Sequence, residues 1–462
     1  MAVAIADDSS SGPWWRELNR YHWFVLIVAA LGWLFDTLDQ QLFNLARVSA
    51  MRDLLPHAPG VTASPADIAK YGGYATSIFL IGWATGGLTF GVLGDRIGRA
   101  RTMLWTILIY SLCTGLSALS TGFWDFAFYR FITGLGVGGE FAVGVALVAE
   151  VMPTRARPHA LGLLQALSTV GNMSAAFITM GMGAYAQAHN IASSWRYVFV
   201  IGAIPAFLAL LIRRRLKEPE DWQRAVSSGE TRRAAGSYRE LFSDPVLRKN
   251  ALVGLALAFS GVVGLWGIGF FSSDLTQSVL RKTFALQGVD PAKIPGKTSY
   301  WGAVTFVMLN FGAFFGMMAM TKACQRFGRR PAFAAGFVAA MFSTAFVFWN
   351  LKTFNDIFWM VPIMGFCQLS LFAGYAIYFP ELFPTHLRST GTSFCYNVGR
   401  FVAAAGPTAL GLLTAEVFKD KPEPMRWAGV TMCAVFLIGL AALPFAPETK
   451  GKPLPEGGTF VH

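Results

Sequence analysis

The chain has 462 residues, of which 54% are hydrophobic and only 14% are charged, with 48 Gly and 40 Phe. This composition is too apolar for a string of soluble domains, and glycine is commoner in membrane helices than in soluble ones. The formal net charge is +12, but the basic residues fall in short clusters between apolar runs, which argues against a nucleic-acid partner.

Twelve apolar runs follow one another along the chain, each close to the roughly 20 residues that cross a bilayer core. The first six lie at about 23–46, 72–93, 102–121, 123–149, 160–186 and 195–212. The second six lie at about 251–272, 301–321, 332–351, 356–379, 389–415 and 426–446. The sequence therefore predicts an all-α membrane protein with twelve transmembrane helices in two six-helix bundles.

The polar segments divide the predicted chain and set its orientation. The first twenty residues lack the basic-then-apolar order of a cleavable signal, so the first helix is expected to remain in the mature protein. Lys and Arg concentrate in alternate loops, which by the positive-inside rule are cytoplasmic, together with both termini. The predicted parts are a cytoplasmic segment 1–22, a bundle 23–212, a cytoplasmic linker 213–249, a second bundle 250–446 and a cytoplasmic tail 447–462.

An internal repeat relates the two bundles. The pattern Glu150-x-x-Pro153-x-x-x-Arg157 recurs 231 positions later as Glu381-x-x-Pro384-x-x-x-Arg388, and Gly98-Arg99 recurs as Gly328-Arg329 after 230 positions. Both pairs lie in loops predicted to be cytoplasmic, as two parallel six-helix repeats require. Such repeats enclose a binding site near the membrane midplane.

Several motifs carry a resemblance to a known family. They are Gly91-Val-Leu-Gly-Asp95-Arg96-Ile-Gly98-Arg99-Ala-Arg101, Arg130-Phe-Ile-Thr-Gly134-Leu-Gly136-Val-Gly138-Gly139-Glu140, Pro380-Glu381-Leu-Phe-Pro384-Thr-His-Leu-Arg388 and Pro447-Glu448-Thr-Lys450-Gly451. The first resembles the signature loop of the major facilitator superfamily, and the last two resemble sugar porters. The Gly-Gly-Glu ending of the second is similar to the branch of proton symporters for sialate, monocarboxylates and other organic acids. The resemblance implies alternating access, with the bundles rocking about a fixed site.

The loop motifs predict a cytoplasmic gate made of ionic contacts. A carboxylate such as Asp95 can cap a helix N-terminus, while arginines pair with acids such as Glu150 or Glu448. The alternative is that the loop arginines only obey the positive-inside rule. The predicted gate residues are Asp95, Arg96, Arg99, Arg101, Glu150, Arg157, Glu381 and Arg388.

Ionisable groups at membrane depth are candidates for function because burying each one costs about 2.5–3.5 kcal/mol even on the mildest scale. Asp36 and Asp39 lie three residues apart on the first helix and share a face. Arg130 on the fourth helix lies at a matching depth, and in the sugar porter pattern the aspartate before threonine, here Asp36, faces this arginine. The pair could load and release a proton when it separates, or it could be a static buried ion pair.

Glu140 lies ten residues beyond Arg130, too far along one helix to share its partner. It is predicted to be either a second proton site or part of the gate with Arg99 or Arg101. In the second half, Arg400 on the eleventh helix needs an anionic partner, which could be a substrate carboxylate held by its guanidinium. The alternative for Arg400 is a pair with Asp95 or Glu381 near the cytoplasmic surface.

Polar and aromatic residues complete the predicted substrate site. Gln165 and Asn172 lie seven residues apart on one face of the fifth helix and match polar binding positions of sugar porters. The seventh helix lacks the paired glutamines that sugar porters use, which argues against a hexose. The other predicted lining residues are Asn397, Trp266 and Tyr375, with Tyr378 and Tyr396 as further aromatic candidates, although such aromatics often only pack.

The sequence thus predicts a secondary active transporter, a proton symporter of a small organic anion such as a sialate, a monocarboxylate or an aromatic acid. The alternatives are a sugar or polyol symporter and an efflux transporter. We find no nucleophile–base constellation, nucleotide loop or metal motif, so an enzyme is not expected. The energy source is expected to be the proton gradient, without a cofactor or metal, and the chain is expected to act as a monomer in the plasma or bacterial inner membrane.

Overall fold

The computed structural model describes residues 12–55, 65–189, 191, 194–207, 215–227, 235–291, 293–403, 409–410 and 412–456. Within these ranges the regular secondary structure is entirely helical. The helices of the first half are α1 (Arg20–Leu54), α2 (Pro65–Ile97), α3 (Arg99–Ser117), α4 (Phe123–Val151), α5 (Arg157–Ala188) and α6 (Trp195–Ile201). Two short helices follow, α7 (Glu220–Ser227) and α8 (Tyr238–Ser243).

The second half contains α9 (Pro245–Val263), α10 (Ser272–Leu286), α11 (Ile294–Phe327), α12 (Arg329–Asn350), α13 (Met360–Glu381), α14 (Arg388–Ala403), α15 (Pro424–Met432) and α16 (Phe436–Ala442). Among the described residues, nine helical segments are long and apolar enough to cross a membrane. The predicted helices at 195–212 and 389–415 run into residues outside the described ranges. The predicted helix at 251–272 is longer in the structure, because Pro245–Leu286 is one continuous helical segment of 42 residues.

A π-helical turn, Gly264–Ile268, interrupts this long segment and carries Trp266. Gln368 on α13 donates its side-chain N–H to the carbonyl of Gly264 at 2.9 Å. Such π-turns are rare and occur often at functional sites. The turn therefore places Trp266 on an irregular part of the helix at the centre of the molecule.

The repeat determines where corresponding helices begin. Gly98 and Gly328 have φ values of +114° and +98°, which only glycine adopts readily, and each precedes the first residue of α3 or α12. Glu218 accepts hydrogen bonds from the N–H groups of residues 100 and 101 at 3.1 and 3.0 Å. Glu448 accepts them from residues 329 and 330 at 2.9 and 3.1 Å. The two glutamates, 230 residues apart, thus cap equivalent helices.

The halves meet along two helix pairs, α2 with α14 and α5 with α11. Gly91 on α2 lies so close to α14 that a β-carbon there would approach the Ser393 β-carbon to 2.6 Å. Gly94 and Ser389 make a similar approach one turn further along. Small residues at such crossings let membrane helices pack at short distance, so the α2–α14 contact depends on the absence of side chains on this face of α2.

Candidate functional site

A cavity lies between the halves and contains four of the residues predicted to bind substrate: Gln165, Asn172, Trp266 and Arg400. It is lined by α1, α2 and α5 from the first half and by α11, α13, α14 and the π-turn from the second. The lining residues are Trp33, Thr37, Gln40, Gln41, Trp83, Gln165, Ser168, Asn172, Leu265, Trp266, Met317, Leu369, Phe372, Tyr396 and Arg400.

Arg400 faces this cavity rather than Asp95 or Glu381, so the structure decides between the two interpretations of the sequence. Its guanidinium carbon lies 3.8 Å from the ring centre of Trp83 and 4.2 Å from that of Tyr396. Its Nη1 donates to Asn397 Oδ1 at 2.9 Å, whereas its buried Nε has no hydrogen-bond partner within the described protein. Cation–π contacts thus stabilise the positive charge of the Arg400 guanidinium, while part of its capacity to donate hydrogen bonds is unused.

Two predicted lining residues occupy other places. Asn397 is buried behind Arg400, where it holds the guanidinium instead of lining the cavity. Tyr375 donates its hydroxyl to the carbonyl of Leu257 at 2.6 Å and is fully buried between α13 and α9. Tyr378 similarly donates to the carbonyl of Pro447 at 2.7 Å. The prediction that Tyr375 lines the site is therefore wrong, because its side chain joins helices of the second half.

Arg130 pairs with Asp39 and not with Asp36, which corrects the pairing expected from the sequence. Its Nη1 lies 3.7 Å from Asp39 Oδ2, and both side chains are fully buried. Thr114 donates to Asp39 Oδ1 at 2.5 Å, and the guanidinium also donates to Ser117 at 2.8 Å. Since α1 rises 1.5 Å per residue, Asp39 lies about 4.5 Å further along it than Asp36, at the level of Arg130.

Asp36 lies instead near Glu140, on the adjoining face of α4. A β-carbon at Gly32, one turn before Asp36, would contact the Glu140 carboxylate. All four carboxylate oxygens of Asp36 and Glu140 are buried without a hydrogen-bond partner in the described protein. The charged neighbours of Asp36 are Glu140, Asp39 and Arg400. Glu140 therefore belongs to the membrane interior, and of its two predicted alternatives the contact with Arg99 or Arg101 is not formed among the described residues.

The predicted gate residues converge at one end of the molecule, which we call the gate face: the ends of α2, α4 and α13 with the loops that follow them. Arg99 lies 2.9 Å from Asp95 and 2.8 Å from Glu150, and all three side chains are fully buried. Arg388 lies 2.7 Å from the same Glu150 oxygen, so this ion pair joins the two halves.

Asp95 also connects the two halves at the gate face. Its carboxylate accepts hydrogen bonds from the N–H groups of Ser389 and Thr390 at 3.2 and 2.8 Å, and from the Thr390 hydroxyl at 2.6 Å. These N–H groups belong to the first turn of α14. Asp95 therefore caps a helix of the opposite half, where the helix dipole also favours a negative charge.

The repeat is only partly symmetric at the gate face. Arg329 pairs with Glu381 at 2.6 Å, as Arg99 does with Glu150. Arg157, the counterpart of Arg388, instead donates weakly to the carbonyl of Met152 at 3.5 Å, and it forms no ion pair with Glu381 among the described residues. Arg96 donates to the carbonyl of Ala235 at 3.1 Å, and the side chain of Arg101 is exposed.

Several residues of the site were missed by the sequence reasoning. Glu218 could have been found, because it precedes its counterpart Glu448 by 230 positions, the offset of the repeat. Trp83 and Asn310 gave no such signal, since each is one of many apolar or amide residues in a membrane helix. Asn310 bonds to Asn172 across the α5–α11 contact at 2.8 Å.

Two helical halves around a central cavity, joined by ionic contacts at one end, form an architecture typical of membrane transporters built from two repeats. The chain belongs to the Major Facilitator Superfamily, whose model matches residues 29–291, and the model of the sugar (and other) transporter family matches residues 297–458.

Curated relatives cover most of the chain. A Haemophilus influenzae protein whose name describes metabolite transport is 30% identical, over 95% of this chain and 99% of its own length. The cis,cis-muconate transport protein of Acinetobacter baylyi is 30% identical, over 74% of this chain and 78% of its own length. The sialic acid transporter NanX of Escherichia coli is 27% identical, over 85% of this chain and 88% of its own length.

The structure of the proton:xylose symporter XylE with 6-bromo-6-deoxy-D-glucose has a TM-score of 0.73 at 18% identity, and the match covers 94% of this chain and 98% of that one. The predicted all-α membrane fold of the major facilitator type is thereby confirmed. The chain is a multi-pass membrane protein that transports small molecules, and its relatives are transporters rather than enzymes.

Proposed function

We propose that this protein is a proton-coupled symporter of a small organic anion, with Arg400 as the residue that binds the anionic group. The observation that carries the proposal is the set of unused hydrogen-bond donors around the cavity. Arg400 Nε and the indole N–H groups of Trp33 and Trp83 are buried without a partner within the described protein. A carboxylate would satisfy such donors, because a guanidinium binds it with two parallel hydrogen bonds.

The names of two relatives support an anionic substrate. Muconate and sialic acid are both carboxylic acids, and the relatives that transport them are similar to this chain over most of its length. The likeness to the xylose symporter is below 25% identity and supports the fold alone. An organic acid is thus a better candidate than a neutral sugar, which would place no negative charge against the Arg400 guanidinium.

Proton coupling would use the buried carboxylates of the first half. Arg400 is one of the charged neighbours of Asp36, together with Glu140 and Asp39. When an anion binds to Arg400, its positive charge is neutralised, and two neighbouring carboxylates without hydrogen bonds, Asp36 and Glu140, are accommodated best when one carries a proton. Binding of the anion and of the proton would therefore favour each other, as thermodynamic linkage requires.

Asp39 and Arg130 have a different place in this proposal. Their direct pairing makes each charge compensate the other, and hydroxyl groups satisfy much of the remaining hydrogen-bonding capacity. The pair would hold α1 against α4 next to the proton site, and it would take part in coupling only if the conformational change separates it.

The gate face would be the cytoplasmic side, together with both chain termini, since it carries the basic loops. The structure would then correspond to a state that is closed toward the cytoplasm. Release would require the Arg388–Glu150 pair and the Asp95 cap to break while the halves rock about the cavity. The protein would act as a monomer in the plasma or bacterial inner membrane and would use the proton gradient without a cofactor.

The test is uptake into proteoliposomes of labelled benzoate, 4-hydroxybenzoate, lactate, N-acetylneuraminate and xylose, with and without an inward proton gradient. We expect at least one acid to be accumulated only when the gradient is present. Arg400→Lys should raise the KM for that acid at least tenfold, because an ammonium cannot replace a bidentate fork. Arg281→Lys, at an exposed position, is the matched control and should leave the KM unchanged.

Uncoupling provides the second part of the test. Asp36→Asn should abolish accumulation against a gradient while counterflow of the acid continues, and Asp420→Asn at an exposed site should change neither. Uptake of xylose alone would contradict the anion assignment. If the acid is transported only out of the proteoliposomes, in exchange for protons, the efflux alternative would be favoured instead.

A further inference from the structure

A chain of two amide groups fixes what one side of the cavity offers to a substrate. Asn310 on α11 donates its Nδ2 to the backbone carbonyl of Phe306 at 2.9 Å. Asn172 on α5 donates its Nδ2 to Asn310 Oδ1 at 2.8 Å. Both asparagines are buried, with 0% and 7% of their surface exposed.

The orientation of both amides follows from hydrogen-bond chemistry. A backbone carbonyl can only accept, so the Asn310 atom that faces it must be the NH₂ group, and Asn310 Oδ1 must face Asn172. An oxygen can only accept here as well, so Asn172 must present its own NH₂ group to Asn310. Asn172 Oδ1 therefore remains on the cavity side as an acceptor, and it is buried without a hydrogen-bond partner within the described protein.

A second acceptor lies on the same helix face. Gln165 Oε1 is also buried without a partner, and its side chain lines the same cavity. Unpartnered donors line the cavity from three other helices: Trp33 Nε1 and Gln40 Nε2 on α1, Trp83 Nε1 on α2 and Arg400 Nε on α14. The cavity thus presents donors from one set of helices and acceptors from α5.

We propose that the transported anion carries a hydroxyl or N–H group that donates to Asn172 Oδ1, and that Asn310 is the positioning residue that makes Asn172 an acceptor. The substrate class is then a hydroxylated or N–H-bearing carboxylate, with its carboxylate at Arg400. This inference rests on the proposed function, because it takes Arg400 as the anion site.

The expected selectivity follows from the cost of leaving a buried acceptor unpaired. An acid without the donor group leaves Asn172 Oδ1 unsatisfied, and sites built to pair a substrate hydroxyl reject analogues that lack it far more strongly than apolar pockets reject a missing methylene. We expect the unsubstituted acid to bind about tenfold or more weakly.

The experiment measures binding of matched acids to the purified full-length protein. The pairs are benzoate with 4-hydroxybenzoate and cyclohexanecarboxylate with 4-hydroxycyclohexanecarboxylate, and the ratio of the two Kd values within a pair is the readout. In the wild type, the hydroxylated member of at least one pair should bind tenfold more tightly. Asn172→Ala and Asn310→Ala should bring that ratio close to one, because the hydroxylated acid loses its hydrogen-bond acceptor, while both variants still bind the unsubstituted acid.

Asn350→Ala is the matched control, because Asn350 donates to the carbonyl four residues earlier at 3.0 Å, as Asn310 does, but at the exposed end of α12. It should preserve the wild-type ratio. The retained affinity for the unsubstituted acid shows that each variant is folded.

Three results would overturn the proposal. Equal affinity within both pairs in the wild type would remove the donor requirement while leaving the anion site intact. If Asn310→Ala keeps the wild-type ratio of Kd values, Asn310 does not position Asn172. If Asn172→Ala weakens binding of both acids of a pair equally, the two asparagines only stabilise the structure. If xylose binds and none of the four acids does, the proposed function fails together with this inference.

Discussion

The ion pair between Arg388 and Glu150 offers the sharpest test of how the gate face closes. Among the described residues, Glu150 forms ion pairs with Arg99 and Arg388, and of these two Arg388 alone comes from the other half of the chain. Arg388→Gln should therefore weaken the contact between the halves and leave the Arg99–Glu150 pair in place.

The magnitude follows from the geometry of that contact. The Arg388–Glu150 distance is 2.7 Å and both side chains are buried, and a hydrogen bond to a charged group contributes about 1.5–3 kcal/mol. If the pair is lost on opening, the open population should rise roughly 10- to 150-fold relative to the closed one. A protein that is mostly closed would then become substantially open.

The assay is a distance measurement by electron paramagnetic resonance between two spin labels at exposed positions, one in each half: Arg101→Cys near the start of α3 and Lys322→Cys near the end of α11. The five native cysteines are first replaced, in a background that retains wild-type uptake. Arg388→Gln should add a population at longer distance. Arg157→Gln is the matched control, because the repeat counterpart of Arg388 forms no ion pair with Glu381 among the described residues.

Equal distance distributions in wild type and Arg388→Gln would refute this reasoning, since the ion pair would then not stabilise the closed state. The same shift in Arg157→Gln would show that removal of any arginine at the gate face opens it, irrespective of pairing.

Three further predictions concern the packing and the charges. Gly91→Leu should open the gate face in the same measurement, because a side chain there would collide with Ser393. Glu448→Gln should lower the unfolding free energy by about 1 kcal/mol at pH 7 through the loss of a helix cap. Burial raises the pKa of Glu448, but hydrogen bonds from N–H groups at the start of α12 outweigh it and hold the pKa below its ordinary value. Its capping contribution is therefore present at neutral pH and lost as the pH falls through that lowered pKa. Asp39→Asn should lower the free energy of unfolding by about 3–5 kcal/mol, because it leaves the buried Arg130 without its counterion.

Each of these predictions has its own check. Gly181→Leu, at a position with open space, should leave the gate-face distances unchanged, and an unaltered distribution in Gly91→Leu would contradict the packing argument. In denaturation experiments, the difference between Glu448→Gln and wild type should stay constant from pH 7 down to the ordinary carboxyl pKa and should vanish as the pH falls further, through the lowered pKa of Glu448. A difference that persists in that acid range would exclude a role of the carboxylate charge. Thermal melting in detergent tests Asp39→Asn, and a melting temperature equal to that of the wild type would show that the pair stabilises nothing.

The sequence by itself determined the order and approximate position of most helices, because an apolar run long enough to cross a bilayer can form few structures other than a membrane helix. It also determined the charges that the two halves share, since Glu150 and Glu381 occupy equivalent positions of the repeat, 231 residues apart, as do Arg99 and Arg329, 230 residues apart. These residues make equivalent ion pairs in the structure. The domain boundaries and the roles of the site residues remain predictions.

Only the tertiary structure decided which charges meet inside the membrane. Helical spacing places Asp36 and Asp39 on one face, but the level and rotation of α4 against α1 decide that Asp39 meets Arg130 while Asp36 lies near Glu140. The same holds for Arg400, whose position beside Trp83 depends on how α14 packs against α2. The periodicity of a sequence predicts the direction in which a side chain leaves its own helix. The partner of that side chain depends on the relative position of two helices, and a local sequence pattern does not contain this information.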